Sequence, residues 1–172
     1  MVSLRQAFRP VQSDRNIPIS RRILVPVSGA ESDQRLLTLV EKIARKQNAF
    51  VTIVYVVEVQ QSMPLDAELP AEIERGEQVL RDAEKLGLTC VDGKTSMLST
   101  ELLQARSAGA AIVDEAIDRN ADVIMMGATI RKKYGKATIG ETVDYVLKNA
   151  PCEVFIIRPA MPDWVTEGLE HE

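Results

Sequence analysis

Val123-Ile124-Met125-Met126-Gly127-Ala128-Thr129-Ile130-Arg131-Lys132-Lys133-Tyr134-Gly135-Lys136-Ala137-Thr138-Ile139-Gly140-Glu141-Thr142 is the stretch from which the rest of the chain can be read. Val123 to Met126 is a short apolar run with the composition of a strand covered on both faces. Glycines bound the segment that follows, and from about Glu141 to Asn149 apolar residues return at helical spacing. A loop that leaves a parallel strand at its carboxyl end and enters a helix N-terminus is where α/β proteins hold phosphates. This one carries Arg131, Lys132, Lys133 and Lys136 with no acid among them, so it can attract a small anion.

Working outward, Ile23 to Val27 is another continuous apolar run, followed by the turn Ser28-Gly29-Ala30. Ser28 or Ser32 is expected to cap a helix running to about Lys46, with Leu36, Leu37, Val40, Ile43 and Ala44 on its apolar face. Phe50 to Val57 is rich in β-branched residues, which completes a strand-helix-strand unit. A second helix is predicted from about Ala71 to Leu86, with Ile73, Val79, Leu80, Ala83 and Leu86 inward and Gly87 as its C′ residue. Residues 88–99 resist a definite reading. A third strand is predicted near Thr100 to Ala105, and Gly109 leads into a helix carrying Ile112, Val113, Ala116 and Ile117. The last helix sets Val143, Val146, Leu147 and Ala150 on one face before Pro151 stops it, and Val154 to Ile157 forms the final strand. Five strands alternating with four helices predict a single α/β domain with a parallel, doubly wound sheet, whose site lies at the carboxyl ends of the strands.

The composition excludes several classes of function. The chain has 172 residues, 45% of them hydrophobic, and a net charge of −4, which offers no general attraction to nucleic acid. No apolar run reaches the roughly 18 residues of a membrane span, and no signal peptide is visible. Cys90 and Cys152 lack metal or redox spacing and read as free thiols in a reducing cytoplasm. His171 is the single histidine. Its terminal position removes Ser-His-Asp, Cys-His and His-ligated metal chemistry from the body of the protein. Asp114, Glu115 and Asp118 read as solvated charges on an exposed helix face. Residues 1–20, with Arg5, Arg9 and Arg15, read as a basic leader or linker, 21–160 as the domain, and 161–172 as a C-terminal tail whose Leu169-Glu170-His171 ending reads as vector-derived.

From about Arg22 to Pro159 the residues resemble the universal stress protein family, whose domains are flavodoxin-like or adenine-nucleotide α-hydrolase-like. Ile23-Leu24-Val25-Pro26-Val27 resembles the family's first strand, and Ala121-Asp122-Val123-Ile124-Met125-Met126-Gly127 its fourth. Tyr145 to Val154 resembles its last helix and strand nearly residue for residue. The resemblance implies a homodimer paired through the last strand (Val154, Phe155, Ile156, Ile157), a cytoplasmic location and ATP or another adenine nucleotide as ligand. The implied contacts are Val27, Ser28, Val57, Gly127, Arg131, Lys132, Gly140 and Thr142.

The family's phosphate pattern is Gly-x2-Gly-x9-Gly-Ser/Thr. Gly127 and Gly140 stand at its first and third glycines, but Ile130 replaces the second and Glu141 the hydroxyl, while Ser28 stands where the family has an acid after strand one. Branched Ile130 resists the close backbone approach that glycine permits. A carboxylate at a phosphate site repels the ligand by about 1 kcal/mol or more when partly desolvated. Thr138 and Glu141 instead match a capping box, with Gly135 supplying a tight turn. These departures predict a non-enzymatic regulatory or binding module with weak or lost ATP binding and no catalytic or metal-binding residues. Two alternatives stand beside it: a nucleotide-binding stress protein with at most slow hydrolysis, and a cytosolic domain of an amino-acid or other membrane transporter. Gly140 to Leu147 is similar to the transporter-fused variants, and only such a fusion would bring the chain to a membrane.

Overall fold

A computed structural model describes residues 21–90, 97–133, 136–158 and 160, with backbone alone for 87–90, 131–133 and 136–137. Its elements are β1 (Arg22–Pro26), α1 (Glu31–Gln47), β2 (Phe50–Glu58), α2 (Pro70–Cys90), β3 (Leu98–Ala105), α3 (Ala108–Asp118), β4 (Val123–Gly127), β5 (Arg131–Lys133), β6 (Lys136–Thr138), α4 (Glu141–Asn149) and β7 (Glu153–Ile157). The predicted leader, the tail and the turn at Gly135 lie outside the described residues, as does part of the 88–99 segment.

Five parallel strands form one sheet in the order β3-β2-β1-β4-β7. Successive residues of a strand face opposite sides, and here both sides are roofed. Ile23, Val25, Ile53 and Met125 pack under α1 and α2 with Leu36, Val40 and Leu80. Leu24, Val54, Ile124 and Met126 pack under α3 and α4 with Ile112, Val113, Val143 and Val146. That two-sided burial is why the strands read as unbroken apolar runs rather than as alternations. The helices change sides where the strand order reverses, between β1 and β4, and a crevice opens there at the carboxyl ends.

Several expectations are corrected. The basic loop contains a two-stranded antiparallel hairpin, in which Arg131 pairs with Thr138 and Lys133 with Lys136. Gly87 does not end the second helix, which continues to Cys90. Leu86, Ile117 and Leu147 are not core residues; they are 42%, 54% and 52% exposed. Each sits at the margin of its apolar stripe; Leu147 is one residue past buried Val146, a rotation of about 100° that carries it off the sheet. Glu115 is not a solvated charge, since it pairs with Arg119, which also holds Glu101 at 2.6 Å.

Candidate functional site

The β1 end of the crevice is built by the turn after Pro26. Val27 N–H donates to the Val54 carbonyl at 2.9 Å, which keeps the chain on the sheet for one more residue. Gly29 then takes φ +79°, a left-handed conformation that a side chain would disfavour. With this bend the N–H groups of Ser28, Gly29 and Ala30 converge on one oxygen, Asp33 Oδ2, at 2.8, 2.7 and 3.2 Å. Asp33 is only 8% exposed. Neither Ser28 nor Ser32 caps α1; the N-cap is Ala30, and the carboxylate three residues on satisfies the amides instead.

The β4 end is built differently. Ala128 N–H donates to the Ile157 carbonyl at 2.9 Å, and the chain then leaves the sheet through Thr129 and half-buried Ile130. It returns from the hairpin to α4 at Gly140, the N-cap, with φ 98° and ψ 150°. The predicted Thr138–Glu141 capping box is therefore not formed. Thr138 belongs to β6, its hydroxyl accepting from Gly140 N at 3.4 Å, and Glu141 is already the first residue of the helix. An acid there gains from the helix dipole.

Between these ends lies a cleft of about 250 Å³. Five of the eight predicted contacts line it: Val27, Ser28, Gly127, Gly140 and Thr142. Val57 is not among the lining residues, and Val54, Tyr55 and Val56 stand in its place. The register explains this, because the end of β1 at Pro26 lies opposite Val54 and Val57 is three residues further along. Arg131 and Lys132 are located by backbone only, in β5. The lining residues that sequence reasoning passed over include Asp33, Tyr55 and Met126. For Asp33 a signal existed: an acid three residues after a Ser-Gly-Ala turn has capping-box spacing.

A larger hollow, about 380 Å³, opens at the opposite ends of the strands among Phe50, Thr52, Leu98 and Arg119. Its lining is mostly apolar; of its two guanidiniums, Arg119 is held by Glu101 and Glu115 and Arg22 donates to the Arg119 carbonyl at 3.1 Å. The smaller cleft sits at the topological switch point with glycines and hydroxyls converging on it, and it is the better site on chemical grounds. No cluster of three metal-ligating side chains occurs among the described residues. Cys152 is partly buried, and burial pushes its thiol above the ordinary range, which makes it a poor nucleophile.

The model of the universal stress protein family matches residues 20–158. A universal stress protein of Methanocaldococcus jannaschii is 27% identical over 144 residues, covering 80% of this chain and 82% of the relative. The solved structure of universal stress protein UspA from Lactobacillus plantarum has a TM-score of 0.62 at 28% identity, covering 81% of this chain and 98% of that one. The universal stress protein from Archaeoglobus fulgidus in complex with dAMP has a TM-score of 0.60, covering 80% and 97% of the two chains. At 19% identity that last likeness shows the fold alone.

Proposed function

This chain belongs to the universal stress protein family, and from that premise we propose that it is a non-enzymatic regulatory module whose cleft receives an adenine nucleotide only weakly. One observation carries the reading: two carboxylates, Asp33 and Glu141, line the cleft. Carboxylates at the strand ends favour the uncharged part of a nucleotide over its phosphates. The volume of about 250 Å³ also falls below the roughly 300–1,000 Å³ usual for small-molecule sites. A fold relative is solved with dAMP, which makes the adenosine moiety the natural candidate for the apolar side formed by Val27, Val54 and Met126. Hydrolysis would need a positioned base and an acid holding Mg²⁺ beside the phosphates. The Asp33 carboxylate is instead committed to three backbone amides.

Calorimetry with ATP, ADP and AMP tests this. Dissociation constants near 1 mM are expected, about −4 kcal/mol of binding free energy, with no phosphate released on prolonged incubation. A Kd for ATP of about 10 μM or tighter, or steady phosphate release, would overturn it.

We also place the working form as a cytoplasmic homodimer paired through β7. No described helix is long and apolar enough to cross a membrane. β7 is an edge strand of the sheet, and Phe155 on it is 47% exposed. Unpaired strand edges recruit partners. Sedimentation at high micromolar concentration should give a dimer, and Phe155→Asp should shift the boundary to monomer. A wild-type protein that stays monomeric there would remove this part of the reading.

A further inference from the structure

On the reading of the cleft as a weak nucleotide site, we propose that Asp33 is its charge-selecting residue, an internal anion seated in the β1 turn beside the first glycine of the phosphate pattern. Two independent observations meet at this side chain. Successive backbone amides bent around a left-handed residue form a concavity suited to an anion. The amides of Ser28, Gly29 and Ala30 form one here, and Asp33 Oδ2 fills it at 2.7 to 3.2 Å. The second observation comes from the other wall. A Cβ added at Gly127 would lie 3.2 Å from Ser32 Oγ and 3.8 Å from Asp33 Oδ1. The space beside the first glycine of the phosphate pattern is thus taken up by the first turn of α1, with the second carboxylate oxygen toward it.

The consequence is a defined ligand preference. A di- or triphosphate entering at the β1–β4 crevice meets a fixed negative charge and finds the nearest amides already engaged. An uncharged ribonucleoside loses nothing by this, and its hydroxyls can donate to a carboxylate lining the cleft. The cleft therefore prefers adenosine to ATP, the reverse of what a glycine-rich phosphate cradle would produce. Asn at position 33 keeps an oxygen for the amides and removes the charge, so it isolates the electrostatic part of the effect.

The test is a calorimetric titration of the full chain, wild type and Asp33→Asn, with adenosine, AMP and ATP. Amide resonances of Ser28, Gly29 and Ala30 are followed in parallel to verify that the turn persists. Wild type should bind adenosine at least as tightly as ATP. In the variant the ratio of ATP to adenosine affinity should rise roughly tenfold, with AMP intermediate, or ATP binding should emerge where wild type shows none. Binding in both proteins with an unchanged ratio would overturn the role of Asp33 while leaving the nucleotide cleft in place. No binding of any of the three by either protein would overturn the cleft reading itself, and the role of Asp33 with it. Should the Asn variant lose the turn, Asp33→Ser supplies a second uncharged acceptor, and the same ratio decides.

Discussion

Leu36→Ala is expected to lower the unfolding free energy by about 3 kcal/mol, within the roughly 2–5 kcal/mol range for emptying a buried leucine site. Leu36 is 0% exposed and belongs to the cluster that joins α1 to the β1, β2 and β4 strands. Ile23 and Ile53 of the same cluster are strand residues paired with a neighbouring strand on both sides. The site cannot collapse around the missing atoms, which places the cost in the middle of the range rather than at its foot. In a domain of this size each 1 kcal/mol lowers Tm by about 2–4 °C, so a fall of about 6–12 °C follows. Leu147→Ala is the matched control. The same change at a residue 52% exposed should stay within about 0.5 kcal/mol. Urea unfolding with an unchanged slope checks both. Equal losses at the two positions would mean that α4 buries the wider stripe expected from spacing alone.

That contrast shows what kind of information the amino-acid sequence carries in this fold. Strands roofed on both faces need apolar residues at every position, so Ile23 to Val27, Phe50 to Val57 and Val123 to Met126 were legible as strands. Helix faces were legible less finely, because spacing identifies the centre of a stripe but not its width; Leu86, Ile117 and Leu147 fell at margins. The hairpin of 131–133 with 136–138 was not legible. Its Arg-Lys-Lys and Lys-Ala-Thr segments have no alternation, and their strand character comes from pairing with each other rather than from propensity. The site divides in the same way. Gly127, Gly140, Val27, Ser28 and Thr142 line the cleft, and glycines and strand ends leave a sequence pattern. Asp33 left only its capping-box spacing after the Ser-Gly-Ala turn, since its partners are backbone amides whose convergence depends on one positive φ at Gly29. Val57 lies outside the lining of the cleft because of the β1–β2 register, which a single strand read alone does not contain.

Restoring the two lost positions of the phosphate pattern, Ile130→Gly with Glu141→Ser, is expected to raise ATP affinity roughly thirtyfold. Two separable effects contribute. Glu141 lines the cleft at the first residue of α4; removing a carboxylate from a partly desolvated phosphate site is worth about 1–1.5 kcal/mol, roughly tenfold. Ile130 is half-buried in the irregular link from β4 to the hairpin. Glycine there lets backbone amides approach a phosphate, with a gain of about 0.5–1 kcal/mol after its own entropy cost. The double variant should also be less stable by about 1–2 kcal/mol, from the lost acid at the helix N-terminus and the added glycine. On the proposed reading this opposition gives a physical reason for the residues found: Glu141 strengthens the start of α4 and Ile130 the link into the hairpin, where the family pattern serves a phosphate. Calorimetry with ATP and adenosine, beside urea unfolding of both proteins, measures the two sides together. Because both changes act where phosphates would lie, ATP should gain far more than adenosine. A folded double variant whose ATP affinity is unmoved would place the obstacle at Asp33 alone, and adding Asp33→Asn to the same background would then have to recover the binding.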